Sequence, residues 1–588
     1  MHTPVDPNDP QHRREIRDGM RIDWDAPIPM EDGVVLRCDI FRPVEDGRYP
    51  VIMTHGPYSK WKHFDDLYPQ AYRKLHADHP EVPAGSTNKY QVWETVDPEK
   101  WVPDGYAVVR VDSRGAGRSP GQLDIWSLRE AMDYKNCIEW AGAQPWSTGK
   151  VGLNGVSYYG TNQWQAAALD PKHLTAICVW EGCADFYRDM AYHGGILCNG
   201  FVDALAPVQI YSVQHGKGKK GPKSRITGDW ISGPPTLSEE ELGAKRRNFA
   251  MDVRKAKLAT DEFWTTRSPD WSKVKVPLLS AANWGGQGLH PRGNFEGFTQ
   301  AASNNKWLDA HPLEHWTTFY TDYGLKMQKK FFAYHLKGEG NWPDEPKVRL
   351  QIRHPGDRFV ERHEKEWPLA RTQWTKFHLD AADFSLGTSA PARDGTTSYK
   401  GFSDGVTFLT QPLARDTEIT GPVAAKLWVS TETADADLFL VLRAFSPDFK
   451  EVLFQGSNDP HTPLGLGWLR LSHRKLDKAK SLPYRPYHTH DEIQPAKPNE
   501  VYEVDVEIWP TCIVVPKGYR IGLTVRGKDY EYQGDPVVFG PFKPWAGVAL
   551  FTHDDPGDRP AAVFGGNVTL HSGPQRPAHL LLPVIPAS

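Results

Sequence analysis

The chain has 588 residues, a formal net charge of −4 and 39% hydrophobic residues. That length predicts two or three domains with interior for a large core. The near-balanced charge leaves no footprint for nucleic acid or an anionic membrane as partner, and no run of about 18 apolar residues offers a spanning helix.

In chain order, residues 1–20 read as a loose polar arm, without the apolar segment of a signal peptide. Met30 to Pro43 reads as a hairpin around Glu31-Asp32-Gly33, and Tyr49 to Thr54 as a buried strand ending in His55-Gly56-Pro57-Tyr58. After an insertion come the strand Tyr106 to Val111 and the loop Asp112 to Gly121. Ser127 to Gly142 has helical periodicity, and Val151 to Asn154 and Leu174 to Trp180 read as strands. Strand signals vanish from Asp185 to about Ser272. Within it, Ser238 to Ala259 reads as charged helix and His215 to Arg225 as a solvated basic loop. Strands resume at Val276 to Ala282 and Lys306 to Ala310, followed by a helix over Leu325 to Leu336. Beyond about Lys347 strand-like runs recur between turns, beginning with VRLQIR.

This order predicts an α/β fold whose sheet carries helices on both faces, with an inserted helical cap and a C-terminal β-sandwich or jelly roll. The boundaries expected are 1–184 and 273–350 for the sheet domain, 185–272 for the cap and 351–588 for the β-domain. The six cysteines (Cys38, Cys137, Cys178, Cys183, Cys198, Cys512) have no metal-ligand spacing and read as reduced buried thiols. A cytoplasmic chain with no cofactor or metal is the expectation.

Ser157 stands at the junction of the Val151–Asn154 strand and an Ala-rich helix that stops at Asp170-Pro171. Gly155 precedes it by two and Gly160 follows by three. A serine on such a tight strand-to-helix turn is a candidate nucleophile elbow, its hydroxyl clear of the sheet edge and backed by a helix N-terminus. Gly117-Arg118-Ser119-Pro120-Gly121 matches G-x-S-x-G letter for letter, but a turn rather than a helix follows it, so Ser119 is rejected. A serine nucleophile needs a histidine base, an orienting acid and oxyanion donors. His290, His311 and His315 are the candidates after the last strands. His315 lies where the base loop belongs, His311 is the close runner-up, and His290 reads as a supporting residue.

His55-Gly56-Pro57-Tyr58, DSRGAGRSPG, GVSYYG, FFAYHLKG and PKVRL, in this order, resemble the cocaine esterase-like hydrolases, a family that includes X-prolyl dipeptidyl peptidases and α-amino acid ester hydrolases. The resemblance spans nearly the whole chain and implies an α/β-hydrolase core, a helical cap and a jelly roll. It implies Ser157 as nucleophile, His315 as base, and the Tyr58 hydroxyl with the Tyr158 amide as oxyanion donors. Where the family carries an Asp in a Gly-Trp-x-Asp pattern, this chain has Asn283-Trp284-Gly285-Gly286, with Gly286 at the acid's position. No carboxylate occurs between Trp271 and Asn294. Glu181, at the end of the preceding core strand, is the expected replacement, because a carboxylate there calls for a partner such as His315. Asp185, which the family also carries beside its acid, reads as structural, and Glu314 should point elsewhere. The remaining option is a Ser–His dyad with water or Gln287 orienting the ring and Glu181 paired to an arginine.

The expected activity is hydrolysis of a small-molecule carboxylic ester or amide through a Ser157 acyl-enzyme, with Trp180 and Trp284 lining the substrate pocket. An acyltransferase or an aminopeptidase on the same scaffold is the alternative; Glu239-Glu240-Glu241 could bind a free N-terminus, though a solvated helix start explains it better. A binding protein that has lost its acid ranks last. A homo-oligomer is left open by analogy with other sandwich domains.

Overall fold

The structure, a computed structural model, describes residues 3–6, 8–538, 542–548 and 550–587. Among them lies a mixed sheet of twelve strands. From one edge, Thr3–Asp6, Asp9–Arg17, Met20–Pro29 and Val35–Pro43 run antiparallel. Ala107–Asp112, Tyr49–Gly56, Ser147–Val156, Leu174–Trp180, Leu278–Asn283, Lys306–His311 and Val348–His354 follow in parallel, and Arg358–Glu364 turns back at the far edge. The inner strands are apolar on both faces because helices cover both sides. Leu128–Gly142 and Tyr158–Ala168 pack with Val51, Val109, Leu153 and Ile177. Asp322–Phe332 closes the other face through Phe331 and Phe332 against Trp307.

Two expectations fail at the sheet's edges. The N-terminal stretch is not a loose arm: Asp9–Arg17 pairs with Met20–Pro29, turning at Asp18 and Gly19 with φ of 49° and 74°. Its charged residues hid the alternation, and charge on an outer strand discourages pairing with other molecules. Met1, His2 and Pro7 of that stretch lie outside the described residues. VRLQIR likewise belongs to the hydrolase sheet, where Val348–His354 pairs in parallel with Lys306–His311, so the β-domain's first strand is Gln373–Asp380.

Between Asp185 and Ser272 the chain forms short helical pieces, including Asn199–Ala204, Glu239–Ala244 and Phe249–Lys255, and a small ladder of Tyr192–His193 with Ile196–Leu197. The β-domain sheet curls until His579–Ile585 pairs with both Gln373–Asp380 and Thr417–Thr431, enclosing Phe408, Leu427, Leu440 and Leu523. This is the expected jelly-roll architecture on an α/β-hydrolase core. The two are clamped by buried Arg353, which donates to the Cys512 and Leu464 carbonyls and to Thr511 Oγ1. All six cysteines are free and buried. Among the described residues no helix is long and apolar enough to cross a membrane.

Candidate active site

Ser157 sits between the strand Ser147–Val156 and the helix Tyr158–Ala168 with φ 57° and ψ −113°. Backbone of that kind costs about 1–3 kcal/mol and is held only where the surroundings enforce it. Here they do. A Cβ on Gly160 would lie 2.7 Å from the Trp180 carbonyl, and one on Gly155 would lie 2.5 Å from the Tyr159 Cβ. The Ser157 N–H donates to the Trp180 oxygen at 2.9 Å, and Thr161 N–H to the Ser157 oxygen at 2.7 Å. Tyr158 N–H, at the first helical position, has no acceptor within the helix.

The serine hydroxyl meets His290 rather than His315: Ser157 Oγ lies 3.1 Å from His290 Nε2. His315 is held elsewhere, its Nδ1 2.7 Å from Glu181 Oε2 and its Nε2 2.8 Å from Glu94 Oε1. The two imidazoles stack 5.0 Å apart and nearly parallel, and His290 Nδ1 lies 3.9 Å from Glu181 Oε2. Charge explains the exchange. Burial alone would lower the His315 pKa, but Glu181 and then Glu94 outweigh it and push it up to about 10. Charged in this way, His315 has both N–H groups donated and no lone pair for a serine proton, although burial also raises the Glu94 carboxyl that shares the contact. Burial, reinforced by His315, lowers His290 to about 3, so its ring is neutral and can accept. Sequence reasoning missed Glu94. Its only signal was a carboxylate directly after Val92-Trp93; it adopts φ 62° and is buried.

Glu181, with φ 45° and no exposed surface, sits at the centre of this cluster. It accepts from Asn283 Nδ2 at 3.1 Å and Ser457 Oγ at 3.3 Å, and lies 3.2 Å from His311 Nε2. Burial opposes ionisation, but His315 and His311 overcome it and hold the carboxyl below the usual range. His311, backed by Asp309 at 2.8 Å, is raised to about 9 against its own desolvation. The partners of Glu181 are thus histidines rather than the arginine of the dyad reading. Gln287 is turned away, donating to the Trp284 carbonyl and accepting from Leu466 N–H. Asp185 pairs with Arg188 at 2.6 Å, and Glu314 accepts from Thr317 Oγ1 at 2.8 Å. Ser119 is buried and donates to the Asp112 carbonyl at 2.6 Å.

The β-domain explains the empty acid position. Its Gly456-Ser457 loop packs flush on Gly285-Gly286: a Cβ on Gly285 would lie 2.3 Å from Gly456 Cα, and one on Gly286 3.1 Å from Ser457 Oγ. The Ser457 carbonyl also accepts from the His315 backbone N–H at 3.0 Å.

Tyr58 stands edge-on to Tyr158 and Tyr159, and burial, then the charge of Glu94, holds its phenol far above the ordinary range, so it remains a donor. The Tyr158 hydroxyl is tied off, donating to Glu130 Oε2 at 2.6 Å, which leaves only its amide for the site. Trp180 and Trp284 do not line a pocket. Both have no exposed surface; Trp180 stacks on His311 at 5.0 Å, and Trp284 Nε1 donates to the Gln351 carbonyl. A groove of about 730 Å³ lies on the β-domain around Trp374, Leu482 and Tyr484, remote from the serine. Glu181, His290 and His315 converge as closely as metal ligands do, but His315 bonds to Glu181 and His290 turns Nε2 to Ser157.

A strained serine, an accepting imidazole and a buried carboxylate are the parts of a serine hydrolase. Residues 32–317 match the family described as X-Pro dipeptidyl-peptidase (S15 family), and 340–537 match the X-Pro dipeptidyl-peptidase C-terminal non-catalytic domain. A CocE/NonD family hydrolase of known structure from Staphylococcus aureus is 32% identical, with a TM-score of 0.82 over 96% of this chain and 94% of that one. This chain belongs to the CocE/NonD hydrolase family. Another relative, the cocaine esterase of Rhodococcus sp., is 25% identical over 95% of this chain and 97% of its own. An α-amino acid ester hydrolase shares the fold at 16% identity and a TM-score of 0.64, covering 99% of each chain. The CocE/NonD chain described here is accordingly a serine hydrolase.

Proposed function

We propose that this enzyme cleaves small-molecule carboxylic esters through an acyl-enzyme on Ser157, with His290 as the base that receives the serine proton. The 3.1 Å contact between Ser157 Oγ and His290 Nε2 carries this reading. Attack forms the bond from Oγ to the acyl carbon, and the proton passes to His290. The carbonyl oxygen becomes an oxyanion that takes hydrogen bonds from the Tyr58 hydroxyl and the Tyr158 amide; one such donor is typically worth about 3–4 kcal/mol. Collapse expels the alcohol, which recovers the proton from His290, and water then enters by the same route to release the acid. The oxyanion and Glu181, 3.9 Å from His290 Nδ1 before substrate arrives, offset the charge the ring gains. The cocaine esterase relative supports an ester; amide cleavage follows if the peptidase relatives are the better guide.

One observation favours a second reading. The tight contact joins His315, the base the family resemblance implies, to Glu181, the carboxylate expected to replace the family's missing Asp, and His315 would serve if Glu94 released it.

Turnover of a p-nitrophenyl ester from about pH 5 to pH 11 separates the two. With His290 as base, kcat/KM holds level through neutral pH, and Ser157→Ala and His290→Gln each lower kcat by about 10⁴-fold or more, while His315→Gln costs less. A rate that climbs toward about pH 10, with His315→Gln the crippled variant, would replace His290 by His315.

A further inference from the structure

Away from Ser157, the cap meets the β-domain at a second cluster: His193 and Cys198 from the cap, His553 from the β-domain. His193 Nδ1, His553 Nε2 and Cys198 Sγ lie within 4.8 Å of one another. The three residues are 1%, 0% and 0% exposed. The ring nitrogens that face away from the cluster both meet acceptors. His193 Nε2 lies 3.1 Å from the Asp189 carbonyl oxygen, and His553 Nδ1 lies 2.8 Å from Asp529 Oδ1. Each outward nitrogen therefore carries the N–H, and a neutral imidazole has only one. The inward nitrogens are then two bare lone pairs only 2.8 Å apart in a dry site walled by Trp468 and Phe439. Two lone pairs in that position repel unless a shared proton or a metal ion lies between them, and a shared proton does not need the third donor, Cys198.

We infer that His193, Cys198 and His553 form a binding site for a divalent transition-metal ion of the zinc class. Two imidazoles and a thiol are the donors such an ion takes, and a carboxylate or carbonyl behind each imidazole is how metal-bound histidines are oriented. On binding, the Cys198 S–H proton leaves to solvent and the thiolate replaces it with a metal–sulfur bond; the thiolate and Asp529 balance the two positive charges. The three protein ligands are buried and come from both the cap and the β-domain, so the ion ties one to the other and takes no part in turnover at Ser157.

The full-length chain, without a histidine tag, is grown in cobalt-supplemented medium. It should carry about one metal equivalent and show a thiolate-to-cobalt charge-transfer band, which the sulfur-free Glu181–His290–His315 cluster cannot give. Cys198→Ser should lose that band, and His193→Asn should lower the metal content several-fold. Chelation should lower the melting temperature of wild type but not of Cys198→Ser. A wild-type chain that takes up no cobalt, or a charge-transfer band that survives in Cys198→Ser, would overturn the assignment.

Discussion

Glu181 shows how one side chain sets the state of its neighbours. Its folded pKa is lowered and that of His315 is raised to about 10, so the two shifts act on stability from opposite sides. The Glu181 contribution is present above its unfolded value of about 4.3 and is lost as the pH falls. The His315 contribution is complete below its unfolded value of about 6.5 and is lost as the pH rises through about 10. Wild type should therefore lose resistance to denaturant steadily from neutral to alkaline pH. Glu181→Gln should be weaker near pH 6, by less than the roughly 3–5 kcal/mol of an unpaired buried charge because Glu94 still pairs with His315, and its alkaline slope should be shallower. Urea midpoints across pH decide it; equal slopes would mean that His315 is not charged at rest. At this scale the sequence pointed to the strained turn at Ser157 through its strand–turn–helix setting, and to a histidine partner for Glu181 because a carboxylate on a core strand needs one. It could not reveal the exchange of His315 for His290. That depends on Glu94, which approaches from a segment 221 residues from His315 and changes which ring is neutral.

At the scale of elements, the catalytic turn depends on how closely the Tyr158–Ala168 helix approaches the Leu174–Trp180 strand. Gly160→Ala puts a methyl against the Trp180 carbonyl, which the strand's own hydrogen bonds hold in place. We expect a loss of about 1–3 kcal/mol in stability and at least tenfold slower labelling of Ser157 by a fluorophosphonate, since the helix can yield only by moving the serine. A labelling rate equal to wild type would show that the junction is looser than its geometry. Elements with a strong local period were legible almost to their ends: Leu174–Trp180 and the helix after Ser157 needed no correction. Asp9–Arg17 was missed because its charges mask the alternation of a local hairpin, and Val348–His354 was misplaced because which sheet a strand joins is decided by non-local pairing.

Across the whole molecule, the β-domain takes part in the active site rather than serving as an appendage. Its Gly456-Ser457 loop crowds position 286, where a Cβ would lie 3.1 Å from Ser457 Oγ, and Ser457 donates to Glu181. Gly286→Asp alone should not rescue the activity lost in Glu181→Gln. Added to Ser457→Gly, which clears the space, it should recover at least tenfold in kcat; rescue by Gly286→Asp without that clearance would show that the loop yields freely. The clearance was invisible in the sequence, since residues 286 and 457 meet only when both domains are folded.

The contact at Ser457 also bears on timing. A ribosome that has synthesised the first 350 residues has already made Ser157, Glu181, His290 and His315, yet not the loop that supports His315 and Glu181. The growing chain thus acquires its nucleophile early and its finished charge network late. The finished arrangement of Glu181 and His315 therefore depends on a contact that the polypeptide supplies only in its last third.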